Sequence, residues 1–299
     1  MNPLEQFEVA AREFIASRGS PRTRVAYLGD LKRWCDYCTS TGIDPTTPTL
    51  GAATAFRDQL IASCASLTVR RILAALSAVY RRLVAQEHKL VTWNPFDSAA
   101  LDRPSAAVYQ KTEIVTEVDA VAIMKAAESD TSVLGRRDTA ILHLLRAAGL
   151  RRMSIATLRR HAVVASENGW VVRIILKGGA EAQSDVTPEC ARAIHAWLDV
   201  APQSEWMFPS VRYKNAQPIN VAVVNRVVTE RSKAAGVPHV HPHQFRAAFI
   251  TTALDSLPLH DVQAAVHHRD PRTTQRYDRG IRGKGVVTAV ANARKPKEP

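Results

Sequence analysis

The stretch VQAAVHHRDPRTTQRY, residues 262–277, closes on a lone tyrosine, Tyr277, behind two adjacent histidines, His267 and His268. Arg269, Arg272 and Arg276 lie inside the stretch and Arg279 follows it. Four arginines and two histidines around one phenol make a density of positive charge that the phenol alone does not account for.

The charge of the whole chain favours an anionic partner. Lys and Arg outnumber Asp and Glu 40 to 28 over 299 residues, a formal net charge of +12. That balance favours a polyanion such as nucleic acid. No apolar run approaches the roughly 18 residues of a membrane span, and the opening MNPLEQFEVAAREF lacks the basic start and apolar core of a signal peptide. The expectation is a soluble, cytoplasmic, nucleoid-associated protein with no membrane partner. Cys35 and Cys38 form one C-x-x-C, but no second pair stands at zinc-finger spacing, so the pair reads as part of a helix and no metal is expected.

From residue 3 to about 95 the pattern is helical. Ser20-Pro21 has the chemistry of an N-cap followed by a first-turn proline. In SLTVRRILAALSAVYRRLVAQE, residues 66–87, Val69, Ile72, Leu73, Leu76, Val79, Tyr80, Leu83 and Val84 fall on one side at about 100° per residue. Arg70, Arg71, Arg81 and Arg82 fall on the other. Taken alone, this arginine face reads as solvated surface. Eleven residues return a helix to nearly the same azimuth about 16 Å further along, a spacing at which the two pairs can reach separate phosphates.

Residues 96–113, FDSAALDRPSAAVYQKTE, lack a sustained period and read as an interdomain connection. The chain is therefore divided into a helical domain over 1–105, a linker at 106–113 and a second domain over 114–299. In the second domain EVDAVAIMKAAES and SVLGRRDTAILHLLRAAG are helical in pattern. HAVVASENGWVVRIILKGGAEAQSDVTP changes to valine and isoleucine runs broken at Glu167-Asn168-Gly169 and Lys177-Gly178-Gly179, which predicts a small antiparallel sheet of about three strands. Helical patterns return at ECARAIHAWLDV, INVAVVNRVVTERSKAAG and HPHQFRAAFITTALDS. The fold class expected is mainly α with a small antiparallel sheet in the C-terminal domain.

In HPHQFRAAFITTAL, Phe245, Ala248, Phe249 and Thr252 make an apolar stripe at i, i+3, i+4 and i+7, and His243 and Arg246 sit off it, one turn apart. At a helix start such a pair can converge on one anion, helped by the free N–H groups there. GLRRM, residues 149–153, sets Arg151 after an apolar helix. Taken alone it reads as a C-cap glycine before a surface arginine.

In order, GLR at 149–151, Lys177 in a hairpin turn, H-x-x-R at 243–246, His268 and Tyr277 nine residues later resemble the tyrosine recombinase (phage integrase) family. The likeness is strong over the C-terminal two-thirds and looser before it, where TRVAYLGDLKRW is similar to the opening helix of the family's helical core-binding domain. It implies a simple two-domain, Xer-like recombinase that clamps duplex DNA. Arg151, Lys177, His243, Arg246, His268 and Tyr277 would fill the six active-site positions. The departures are Ser154 where an acidic residue is common, Ala247 where a second histidine often follows the arginine, and His267 where glycine usually precedes histidine. ILKGGAEAQSDVTP also lacks the first glycine and the later Lys and Arg of the commoner hairpin.

The resemblance implies attack of Tyr277 on a DNA phosphorus to form a 3′-phosphotyrosyl link. Arg151, Arg246 and His268 would hold the phosphate, Lys177 would protonate the departing 5′-oxygen, and His243 would assist the tyrosine proton. Cations in these places do the electrostatic work of a metal, so the expectation is no cofactor and metal-independent cleavage. The family also implies a homotetramer on two paired double-stranded DNA sites, through a Holliday junction. GVVTAVANA, 285–293, reads equally as a helix docking on a neighbouring subunit or as one folded back on its own domain. The expectation is a simple two-domain form without the extra N-terminal arm-binding domain of the larger integrases. The competing readings are a type IB topoisomerase-like enzyme and a sequence-specific DNA-binding protein that does not cut.

Overall fold

The computed structural model describes residues 1–86, 90–105, 113–176, 179–214, 217–237 and 239–278. The chain forms two compact units, Met1–Gln110 and Lys111–Pro299.

The first unit is built from α1 (Pro3–Ala16), α2 (Pro21–Thr41), α3 (Leu50–Ser63) and α4 (Ser66–Val84). Each of the first three starts on a polar cap: Asn2, Ser20 and Thr49 accept backbone N–H groups of the first turn, which would otherwise lack partners. The amphipathic face of α4 is the centre of the core, with Val69, Ile72, Leu73, Leu76 and Leu83 fully buried. Trp34 from α2 donates its indole N–H to the Tyr80 hydroxyl at 2.8 Å, and that hydroxyl donates to the Pro45 carbonyl at 2.9 Å. Two large side chains with polar ends are thereby buried with those ends satisfied.

The helical pattern ends at Val84, short of the expected limit near 95. The connection also begins later than residue 96. Phe96 and Leu101 are almost wholly buried in the first unit, and Phe96 packs edge-on to Trp34 with ring centroids 5.0 Å apart. Arg57 and Arg70 donate to the carbonyls of Asp102 and Pro104, tying this irregular stretch down. An aperiodic segment with only two buried anchors carries no helix or strand signal, so its attachment is invisible to periodicity. Cys35 and Cys38 are buried on α2, and burial pushes both thiols up to about 12. Neither is a nucleophilic thiolate near neutral pH.

The second unit is arranged about α6 (Val133–Ala148), against which α5 (Glu117–Glu128), α8 (Pro188–Leu198), α9 (Val221–Ala234) and α10 (Pro242–Ser256) pack. Short helices α7 (Arg152–Ala156), α11 (Leu259–Ala265) and α12 (Pro271–Gln275) stand beside turns. Strands β1 (Val163–Ser166), β2 (Gly169–Ile175) and β3 (Glu181–Val186) form one antiparallel sheet in the order β1-β2-β3. Its register sets Val163 opposite Val172 and Val172 opposite Ser184. Val172, Ile174 and Val186 enter the main core.

The expected stripe on α10 is only partly right. Phe245 is buried, but Ala248 and Phe249 are half-covered and Thr252 is exposed, while Arg246, Ala247, Ile250 and Thr251 are buried. The reason is that α10 packs on two sides. Phe245 joins the main core, and Ala247 and Ile250 join a second one with Val262, Val266 and Tyr277. A helix wedged between two cores does not show one clean apolar face. No helix among the described residues is long and apolar enough to cross a membrane.

Candidate active site

Gly149 ends α6 with φ of +53°, and a Cβ added there would lie 2.7 Å from Cδ1 of Phe249. Glycine is required twice, by backbone conformation and by the approach of α10. The chain then turns outward: Leu150 is buried and Arg151 is the extended residue preceding α7, with its side chain exposed. A terminal nitrogen of Arg151 donates to the carbonyl of His267 at 3.3 Å. Partial desolvation lowers the pKa of this guanidinium, and the nearby Tyr277 opposes that shift.

Pro242 opens α10, followed at once by His243 and, one turn on, by Arg246. Arg246 is 4% exposed. It donates to the carbonyl of Gly149, to the carbonyl of Val266 at 2.8 Å and to Nε2 of His268 at 2.9 Å. Burial, then the charge of Arg151, brings its pKa down to about 10, so it remains a cation near neutral pH. Three of a guanidinium's five donors are thus committed within the fold, which holds the plane of the group in place.

A guanidinium only donates, so Nε2 of His268 accepts and its proton sits on Nδ1, which donates to Thr274 Oγ1 at 2.9 Å. His268 is 7% exposed, and burial with the charges of Arg246 and Arg151 brings its pKa down to about 4. It is a neutral imidazole with both nitrogens engaged. Thr274, fully buried, sets that tautomer. Sequence reasoning gave it no role, since the paired threonines before the tyrosine carry no mark of which one turns inward.

Tyr277 follows α12 and is 7% exposed, its ring packed with Ala247, Ile250, Val262 and Val266. Its backbone N–H donates to the Thr274 carbonyl at 3.0 Å, and its carbonyl accepts from the Thr251 hydroxyl at 3.4 Å. Its hydroxyl lies 3.1 Å from Nε2 of His243. The Tyr277 ring is nearly parallel to that of His268, at 19° with centroids 6.3 Å apart. Burial, then the charges of Arg246 and Arg152, lowers the His243 pKa and favours the form able to accept a proton.

Arg151, His243, Arg246, His268 and Tyr277 are therefore brought together in the second unit. Lys177 lies outside the described residues, as does the 285–293 segment. Ala247 is fully buried against the Tyr277 core, where a second histidine would place a polar ring in an apolar contact.

The arginines of α4 divide into two kinds. Arg70 is held by the Pro104 carbonyl, and Arg71 forms a two-point ion pair with Asp30, which is 2% exposed. Arg81 and Arg82 are exposed in the last turn. The spacing that placed all four on one face is correct, but two of them brace the first unit.

The sequence pattern of the Phage integrase family matches residues 113–280, and that of its N-terminal SAM-like domain matches residues 11–87. Tyrosine recombinase XerC of Corynebacterium efficiens is 32% identical over 169 residues, 55% of this chain and 53% of that protein, so the match spans about half the relative's length. Tyrosine recombinase XerC of Alcanivorax borkumensis is 30% identical over 219 residues, 70% of this chain and 68% of that protein. A solved structure of the XerH site-specific recombinase bound to difH substrate, a pre-cleavage complex, shares the fold with a TM-score of 0.77 at 11% identity, covering 97% of this chain and 95% of that one. With the integrase pattern lying over more than half of its residues and over every side chain of the cluster around Tyr277, the chain belongs to the phage integrase family.

Proposed function

We propose that the chain is a site-specific DNA recombinase that cuts and rejoins strands through Tyr277. The observation that carries this reading is the 3.1 Å approach of the Tyr277 hydroxyl to His243 in a domain that also gathers Arg151, Arg246 and His268. The phenolic oxygen attacks phosphorus and the 5′-oxygen leaves, while Nε2 of His243 takes the phenol proton. Negative charge building on the non-bridging oxygens is met by Arg151 and Arg246, the latter already oriented by its carbonyl and imidazole partners. Lys177 supplies the proton to the departing 5′-oxygen. The 3′-phosphotyrosyl bond conserves the energy of the broken linkage, so attack by a 5′-hydroxyl reseals DNA with no nucleotide cofactor.

Residues 1–105 serve as the helical arm of a DNA clamp, 106–113 as linker and 114–299 as the catalytic domain. Arg81 and Arg82 are the α4 residues available to duplex phosphates. The working assembly is a homotetramer on two paired double-stranded sites, acting at the nucleoid.

The test is incubation with a nicked site that loses its short 5′ fragment on cleavage. An SDS-resistant protein–DNA adduct is expected with the unaltered chain and none with Tyr277→Phe. Specific binding without any adduct from the unaltered chain would leave a DNA-binding protein in place of the enzyme, and relaxation without exchange between paired sites would favour a topoisomerase.

A further inference from the structure

His267 has φ of +52°, in the left-handed region, although it carries a side chain. The turn around it is closed from its own chain: His267 N–H donates to Ala264 O at 3.0 Å, His268 N–H donates to Gln263 O at 3.1 Å, and the Gln263 amide donates to the His268 carbonyl at 3.0 Å. These bonds hold the His267 backbone in the turn. The imidazole Nε2 lies 3.0 Å from Oγ of Ser184 on β3.

Ser184 is unusual in its own place. It is 8% exposed on a strand whose other buried residue is Val186, and it sits opposite the fully buried Val172. A hydroxyl on the buried face of a sheet needs a partner. Two departures from local preference, a histidine at positive φ and a serine at an inward strand position, thus account for each other. Sites where sequence breaks local rules are where function is expected to impose them. The His267 carbonyl, meanwhile, is the acceptor for Arg151, and the next residue is His268. One residue joins the anion-binding loop to the sheet by its side chain and to Arg151 by its backbone.

We propose that His267 is a positioning residue for strand cleavage: through Ser184 it latches β3, and the hairpin that β3 completes, to the loop bearing His268 and receiving Arg151. The hairpin is closed by the Leu176 N–H on Ala180 O at 2.7 Å and the Gly179 N–H on Leu176 O at 3.0 Å. The sequence between Leu176 and Gly179 holds Lys177. The latch therefore acts on how the leaving oxygen receives its proton and leaves phosphate binding to the arginines. This rests on the reading of the site as a DNA-cleaving centre, which the Tyr277-dependent adduct of the unaltered chain tests separately.

The experiment measures single-turnover cleavage by the full chain, with His267→Gly, His267→Asn, Ser184→Ala and the His267→Gly/Ser184→Ala double variant. Each is assayed on an ordinary nicked site and on one whose scissile 5′-oxygen is replaced by sulfur, a leaving group that needs no proton. Glycine suits the positive φ, and asparagine tolerates it while keeping a hydrogen-bonding side chain. His267→Gly and Ser184→Ala are each expected to slow cleavage of the oxygen substrate about tenfold or more, since small misplacements of a reacting group carry large rate penalties. The double variant should be no slower than either single one, His267→Asn should recover part of the rate, and the sulfur substrate should be cut within about threefold of the unaltered chain. Cleavage by His267→Gly at the unaltered rate overturns the proposal. Equal defects on oxygen and sulfur substrates overturn it too, because they place the imidazole on the phosphate or in the stability of the fold. If His267→Gly does not fold, Ser184→Ala and His267→Asn decide by the same two-substrate comparison.

Discussion

The hydroxyl of Tyr277 and Nε2 of His243 are 3.1 Å apart although 34 positions separate the residues in the chain. The tyrosine ring rests on Ala247 and Ile250, from the helix that His243 helps to begin. One helix, α10, therefore bears His243 and also forms part of the apolar seat of the Tyr277 ring. His243→Ala is expected to slow adduct formation about 100-fold, within the range for loss of a general base. Single-turnover assays across pH check this, and a rate unchanged near neutrality would remove His243 from the proton transfer.

Arg246 is held by two backbone carbonyls and an imidazole, so its replacement has two separable effects. Arg246→Ala leaves the Gly149 and Val266 carbonyls without their donors and is expected to cost about 2–5 kcal/mol in chemical denaturation. Arg246→Lys keeps a charge but not the planar fork. It should lose less stability while still cutting at least about 100-fold more slowly, as expected when a preorganised donor is removed. A lysine variant that cuts normally would show that charge alone suffices.

His268 gives the free protein a defined pH response. Its folded pKa of about 4 lies below the ordinary value of 6.5. Between those values the unfolded chain binds a proton that the folded chain refuses, so stability rises with pH across this window and is fully present above it. The lowered values of His143, His243 and His267 act in the same direction. The melting temperature should fall as pH drops from 7 through 6 toward 4, less steeply in His268→Asn. Identical slopes for the two proteins would contradict the burial of a neutral His268.

The α4 arginines should separate in a salt titration. Removing Arg81 and Arg82 together is expected to weaken DNA binding and to flatten the slope of log K against log salt by up to roughly 0.9 for each phosphate they neutralise. Arg71→Ala leaves the buried carboxylate of Asp30 uncompensated. It should lower the melting temperature while the salt slope changes little. A salt slope that falls with Arg71→Ala and stays constant without Arg81 and Arg82 would reverse the assignment.

Local signals in this chain had short physical ranges and were readable for that reason. The Ser20-Pro21 helix start, the periodic face of α4, the three strands around two glycine-bearing turns and the ordered spacing from Arg151 to Tyr277 each depend on a few neighbouring residues or on family resemblance. What the sequence could not decide was which polar groups are used up inside the fold. Arg70 and Arg71 look like Arg81 and Arg82 along the helix, and only the approach of Asp30 and Pro104 separates them. Thr274 and Ser184 resemble any surface hydroxyls until His268 and His267 arrive beside them.

Periodicity settled most of the elements, because backbone hydrogen bonding and apolar faces obey rules that reach only a turn or a strand away. The clustered side chains were named by the ordered resemblance to the phage integrase family. Tertiary packing alone decided the tautomer of His268, the fixed plane of Arg246 and the double burial of α10. Arg246 meets its acceptors across 20 to 97 positions of chain, where no local pattern reaches, and Thr274, 6 positions from His268, reaches it only through the turn between α11 and α12.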